Sequence, residues 1–247
     1  MIMSREKRKY RKPPITEAVI DIRVRGDQAI PVTSLEQIGH LEKERYPTRL
    51  EGVQIVQEFE FEPSKEARRT SRTPIGFIFK SPDEKQVFQA QVHGFVFSRL
   101  RPYDTWETFS REARRLWDEY RDIAKPTAVE RLAVRYINRF DFPLPVKSLA
   151  DYLTVTPEVP PLISRPGNFL LRLVVPTPSL NATLIVHTVQ VPALNENVGI
   201  VLDLDLYQEA TMPLDDETIW QRLAELHEHV EDVFEACITD PTRHLIE

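Results

Sequence analysis

EAVIDIRVRGDQAIPVTSLEQIGHLEKERY, residues 17–46, is answered later in the chain by LAVRYINRFDFPLPVKSLADYL, residues 132–153. In the first stretch Ala18, Ile20 and Ile22 alternate with Glu17, Val19, Asp21 and Arg23, the two-residue period of a strand over Ile15–Val24. Both stretches then turn into a helix start, and Pro31-Val32-Thr33-Ser34-Leu35 matches Pro145-Val146-Lys147-Ser148-Leu149 in spacing and role. Each half continues through several strands to a long helix carrying a tryptophan, Trp106–Tyr120 in one and Trp220–Phe234 in the other. The reading is an internal duplication within one pseudo-symmetric domain. Residues 1–14 form a basic flexible arm, 15–125 the first β-α-β-α repeat, and 126–247 the second.

Working outward, Ser34 is a plausible N-cap for a helix through Arg45, which Pro47 ends. Val53–Phe61 alternates as a strand, and KEARRTSRTP, residues 65–74, reads as a polar loop. Gly76–Phe79, Val87–His93 and Phe95–Arg101 form an antiparallel meander. Thr105 caps a helix with Phe109, Ala113, Leu116, Trp117 and Tyr120 at helical spacing. In the second half Leu132–Phe140 leads to a short helix near Ser148–Leu153. A proline-rich connection, 156–166, then stands where a strand is expected. Strands follow at Phe169–Val175, Ala182–Val191 and Val198–Tyr207, then a last helix with Ile219, Leu223, Leu226, Val230 and Phe234 on one face, and a short tail.

Strands here follow strands, which disfavours a doubly wound parallel sheet. The expected fold class is α+β: a curved antiparallel sheet with the helices packed on one face. This resembles the duplicated saddle of the TATA-binding-protein-like fold, with a helix-grip fold as the alternative.

Composition bounds the function. The 247 residues carry a net charge of −6, but unevenly. Residues 1–125 hold 24 Lys/Arg against 20 Asp/Glu (+4), and residues 126–247 hold 8 against 18 (−10). An acidic chain argues against general nucleic-acid affinity, although six basic residues against one acidic within 1–12 would suit phosphate contact. No apolar run approaches the roughly 18–20 residues of a membrane span. Cys237 is the only cysteine, which excludes an internal disulfide and fits a reducing, cytoplasmic setting. No phosphate loop, dinucleotide fingerprint, zinc motif or nucleophile elbow occurs, so no cofactor is expected.

KPPITEAVIDI (12–22), YDTW (103–106), RLAVRYINRF (131–140), DLDLY (203–207) and LHEHVEDVFEACIT (226–239) resemble landmarks of a sporadically distributed bacterial family of uncharacterised proteins. The resemblance supplies no catalytic residues. It implies an accessory role of the phage-defence or toxin–antitoxin type.

Arg131, Arg135 and Arg139 fall on one face of a strand, and Arg23 and Arg25 lie on the matching strand of the first half. Such a stripe could fork onto phosphate or carboxylate, or pair with Glu17, Asp21 and the acidic second half. His93 and His187 take matching places in FQAQVHG and ATLIVHT, a candidate ligand pair. Asp203 and Asp205 leave one strand face and form a weak candidate metal site. His227 lies on the apolar stripe of the last helix and is expected to be buried, unlike His229. Cys237 and the tryptophans read as core.

Three functions compete. The leading one is a non-enzymatic binding protein that presents the curved sheet to a protein partner or a small acidic ligand. The alternatives are a nucleic-acid binder using the arm and strand arginines, and a metal-dependent hydrolase or nuclease using Asp203 and Asp205.

Overall fold

A computed structural model describes residues 8–27, 29–62, 65–160, 168–193 and 196–247, without the side chains of 55–70. The fold is α+β, and the described residues form a nine-stranded open sheet with four helices. The elements run β1 (Ile15–Arg25), α1 (Val32–Leu41), β2 (Thr48–Glu62), β3 (Lys65–Lys80), β4 (Gln86–Gln91), β5 (Gly94–Leu100) and α2 (Trp106–Ala124). They continue with β6 (Ala128–Pro143), β7 (Leu170–Thr177), β8 (Ala182–Val191), β9 (Asn197–Met212), α3 (Asp216–Cys237) and α4 (Asp240–Ile246). Every strand pair is antiparallel, in the order β2-β3-β4-β5-β1-β6-β9-β8-β7.

The order reads nearly the same from either side of the central β1–β6 pair. Ile20 pairs with Val134, 114 positions further on, the same step that separates Pro31 from Pro145. Under that step the pair Ala18–Tyr136 exchanges with Ile22–Leu132, and Glu17–Ile137 with Arg23–Arg131. The helices keep one step too. Phe109, Ala113, Leu116, Trp117 and Tyr120 are buried on α2, and Ile219, Leu223, Leu226, His227 and Val230, each 110 further on, are buried on α3. Thr105 and Asp215 cap these helices by accepting from the amides of Thr108 and Thr218. The tryptophans are not equivalent in this register: His227 stands where α2 has Trp117.

One face of the sheet carries the core. Phe95 and Phe97 on β5 meet Trp117 and Phe109 on α2 at ring separations of 6.1 and 5.4 Å. Phe140 on β6 stacks near Phe234 of α3 at 6.4 Å, and Gly39 of α1 lies against the Phe79 ring. A buried polar chain joins the two halves. The Tyr103 and Tyr136 hydroxyls are 3.2 Å apart, the Tyr136 hydroxyl is 2.9 Å from Nδ1 of His227, and the His227 ring stacks on Trp106 at 4.3 Å. His227 is buried and His229 half-buried, and Cys237 is a buried thiol that burial pushes up to about 11.

Several local expectations change. α1 begins two residues before Ser34, whose hydroxyl donates to the Pro31 carbonyl inside the first turn, and it ends at Leu41 rather than Arg45. Residues 65–74 are not a loop but the first half of β3, paired with β2 through Val53–Pro74 and onward to Glu62–Lys65. β4 joins β3 only at Gly76–Lys80, so the outer part is a two-stranded ribbon, and the polar composition of residues 65–74 conceals a strand. The tail folds as α4, where Thr242 is buried and donates to the Tyr152 carbonyl at 2.6 Å. The described part of the expected arm, residues 8–14, is docked. Tyr10 donates to Glu235 at 2.5 Å, and the Lys12 amide donates to the Ile246 carbonyl at 3.0 Å. In the second half the Pro-Val-x-Ser-Leu signal yields only a 3-10 turn, Leu149–Asp151, capped by Ser148, and residues 161–167 of the proline-rich connection lie outside the described residues.

A carboxylate cluster fastens α1 to α2. Burial alone would raise the Glu42 carboxyl, but Arg115, donating at 2.5 and 2.7 Å, brings it below its ordinary value. Glu119 is pushed up to about 7, by burial first and by the neighbouring Glu42 next. The folded state therefore holds the Glu119 proton more tightly than the unfolded chain, whose carboxyl titrates near 4.5. Stability from this group is full below the unfolded value and declines as pH rises through the folded one. Melting temperatures taken between about pH 5 and about pH 8 should fall with pH in the native chain, and Glu119→Gln should flatten that slope.

Candidate binding surface

Among the described residues no helix packs on the opposite face of the sheet. Alternation along β1, β6, β9 and β8 sends Asp21, Arg23, Arg131, Arg135, Asp203, Asp205 and His187 to this face while their even-numbered neighbours enter the core. The sequence places the arginines on one face correctly, and the structure shows what holds them. The Arg135 guanidinium donates from Nε and Nη2 to the two Asp203 oxygens at 2.8 and 2.6 Å, a bidentate fork. Nδ1 of His187 lies 3.3 Å from the same carboxylate. Arg131 donates to Asp21 at 3.0 Å, approaches Asp205 at 3.7 Å, and lies over the Tyr207 ring at 4.6 Å. Arg139 is held by Asp141 at 3.1 Å and by the Pro192 carbonyl at 2.9 Å. Arg25 reaches Glu130 at 3.5 Å on the exposed rim.

Arg23 and Arg131 face each other directly across the central ladder, an arrangement of like charges that costs stability unless a counter-ion intervenes. Asp21 supplies it, within 2.9 Å of Arg23 and 3.0 Å of Arg131. Arg23 also donates to Gln91 at 3.1 Å, two strands away. Gly94 makes that reach feasible, for it occupies the β5 position between them, and a Cβ there would stand 2.5 Å from the Ile22 carbonyl and 3.1 Å from Cδ of Arg23. This glycine and the glutamine carry no sequence motif. Their part becomes visible only once the strand register is known.

The electrostatics follow the packing. The hydrogen bond to Asp203 raises the Arg135 guanidinium further above its ordinary value. Burial raises the Asp205 carboxyl, against the pull of Arg131 and Arg135. Asp203 and Asp205 do share a face, yet both Asp203 oxygens are occupied by Arg135, and a cation would have to displace it. Among the described residues no three His, Cys, Asp or Glu side chains gather as metal ligands.

The two histidines do not come together. His93 lies in the turn between β4 and β5, while His187 is inside β8, with β5, β1, β6 and β9 between their strands. The register explains the difference: Phe88 and Ala90 correspond to Leu184 and Val186, a step of 96 that matches His187 with Gln91. Burial and Arg23 lower the His93 pKa.

Compared with models of known protein families and with curated protein sequences, the chain matches none. Among the described residues no helix is long and apolar enough to cross a membrane.

Breaking the best-made pair should be measurable. Asp203 is 8 % exposed in its side chain, so Asp203→Ala leaves a forked guanidinium without its partner and should cost about 1–3 kcal/mol in urea denaturation. Glu225→Ala, which removes the exposed helical pair with Arg222, should cost less than about 0.5 kcal/mol.

Proposed function

We propose that this chain is a non-enzymatic binding protein that docks a partner protein on the helix-free face of its sheet. The architecture behind it is a duplicated β-α-β-α unit merged along the β1–β6 ladder, in the manner of a TATA-binding-protein-like saddle. The repeating register steps and the matched helix caps support that reading.

The observation that carries the functional reading is the balance of the free face. Its arginines Arg23, Arg131, Arg135 and Arg139 are each engaged by a carboxylate from Asp21, Asp141, Asp203 or Asp205. A surface whose central cations are satisfied internally, with the exposed Arg172 of the β7 edge outside that network, offers little to a phosphate backbone, which binds by releasing counter-ions to unpaired lysines and arginines. Between the ion pairs lie half-buried aliphatic side chains, Val19, Ile137, Ile185 and Val201, and at the β7 edge Leu170 and Val174 are 68 % and 50 % exposed. Apolar patches framed by fixed polar groups suit a protein surface that excludes water from its centre. The accessory role implied by the family resemblance fits a protein that works through a partner encoded beside it.

The test is site-specific photo-crosslinking in the native genomic setting. A crosslinker at Ile137 or Ile185 should capture one defined protein, and one at Glu225 on α3 should not. No adduct from the sheet face, or equal adducts from both faces, contradicts the reading.

A further inference from the structure

The docked N-terminal segment closes one side of a cleft of about 530 Å³ at the end of β1 and β6. Arg11 and Lys12 from that segment, Arg101 from the loop after β5, and Arg139 near the end of β6 all line it. Asp141 is the single carboxylate among its lining residues, and it is engaged by Arg139. The other three cations are differently placed from the arginines of the sheet face. Arg11, Lys12 and Arg101 have no carboxylate within ion-pair distance among the described residues, and Arg101 makes only a long contact, 3.5 Å, with the Pro14 carbonyl. In a chain of net charge −6 whose other arginines are mostly paired, three unpaired cations around one cleft concentrate positive potential there.

The cleft is also preformed. The Lys12 amide donates to the Ile246 carbonyl at 3.0 Å, the Arg139 amide to the Pro14 carbonyl at 2.9 Å, and the Arg101 amide to the Thr16 carbonyl at 3.0 Å. Three main-chain hydrogen bonds thus fix the segments that bear the cations, so a ligand would have only side chains to order. Between the charges the walls are apolar and flat, formed by Pro14, Pro102, Tyr103 and Leu245. The volume lies within the range of small-molecule sites, about 300–1,000 Å³.

We infer that this cleft binds a small organic phosphate. Arg11, Lys12 and Arg101 would hold the phosphate, and the Pro102–Tyr103 and Leu245 walls would cover an apolar body. Guanidinium groups match phosphate oxygens in pairs, and a compact group with two negative charges gains most from several cations converging on it. The apolar walls distinguish an organic phosphate from the inorganic ion. The site adjoins the sheet-face docking surface at Arg139 and Asp141, but its phosphate-holding cations, Arg11, Lys12 and Arg101, take no part in the ion pairs of that surface.

Isothermal titration of the full chain with phenyl phosphate and with inorganic phosphate tests the assignment. Phenyl phosphate should bind at least about tenfold more tightly than inorganic phosphate. The double variant Lys12→Ala with Arg101→Ala should lose at least about tenfold in phenyl phosphate affinity, while Arg135→Ala on the sheet face should bind as the native chain does. Thermal melts of both variants establish that they remain folded. If the double variant unfolds, Arg101→Gln alone should show the same loss. Equal affinity for the two probes, no binding of phenyl phosphate at millimolar concentration, or native affinity in the cleft variants overturns the inference.

Discussion

The ladder between β1 and β6 is the constraint from which the rest of the molecule follows. Each of these strands is hydrogen-bonded on both sides, β1 by β5 and β6, and β6 by β1 and β9. At its centre Ile20 and Val134 are fully buried opposite one another beneath the helices. A slip of one residue in this pairing would turn Ile20 and Ile22 toward water and bring Asp21 and Arg23 into the core, so the register is held by burial on one face alone. Every other strand is added outward from this pair. The positions of Asp21, Arg131, Arg135 and Asp203 on the free face are therefore consequences of the same register that seats Phe97 against Phe109.

The free face shows how an uncovered sheet can carry many charges near its middle without becoming a charged surface. Side chains on adjacent strands reach diagonally, Arg135 to Asp203 and Arg131 to both Asp21 and Asp205, while Arg23 and Arg139 are held by Asp21 and Asp141 of their own strands. Such cross-strand pairs add modest stability one by one, and their joint effect is to fix a pattern of polar groups between aliphatic ones. Water can reach one face of an antiparallel sheet without penalty, and nothing in the core requires that face to be covered.

What the sequence disclosed was whatever local periodicity encodes. β1 and β6 were legible from alternation, and α2 and α3 from the spacing of Phe109 through Tyr120 and of Ile219 through Val230, since a buried face repeats visibly. Residues 65–74 were not legible as strand because KEARRTSRTP is polar at nearly every position, leaving no apolar alternation to read. α4 was hidden by its seven-residue length, with only Thr242 and Ile246 buried. The docking of Tyr10 and Lys12 depends on partners more than 200 positions away, Glu235 and Ile246, which no local pattern could reveal. Gly94 and Gln91 joined the candidate surface for the same reason: their role is defined by neighbours across strands. The match of His93 with His187 failed because it aligned letters, whereas the connections between the strands differ in length.

Native-state hydrogen exchange over residues 15–25 and 128–143 tests the central claim most directly. If both halves depend on the β1–β6 ladder, the amides flanking Ile20 and Val134 will exchange only through global unfolding, at the highest protection in the chain, and the outer strands will open below them. Exchange of the central ladder at lower free energy than β4 and β5, or than β8 and β9, would mean that the halves are stable independently and that their junction is incidental.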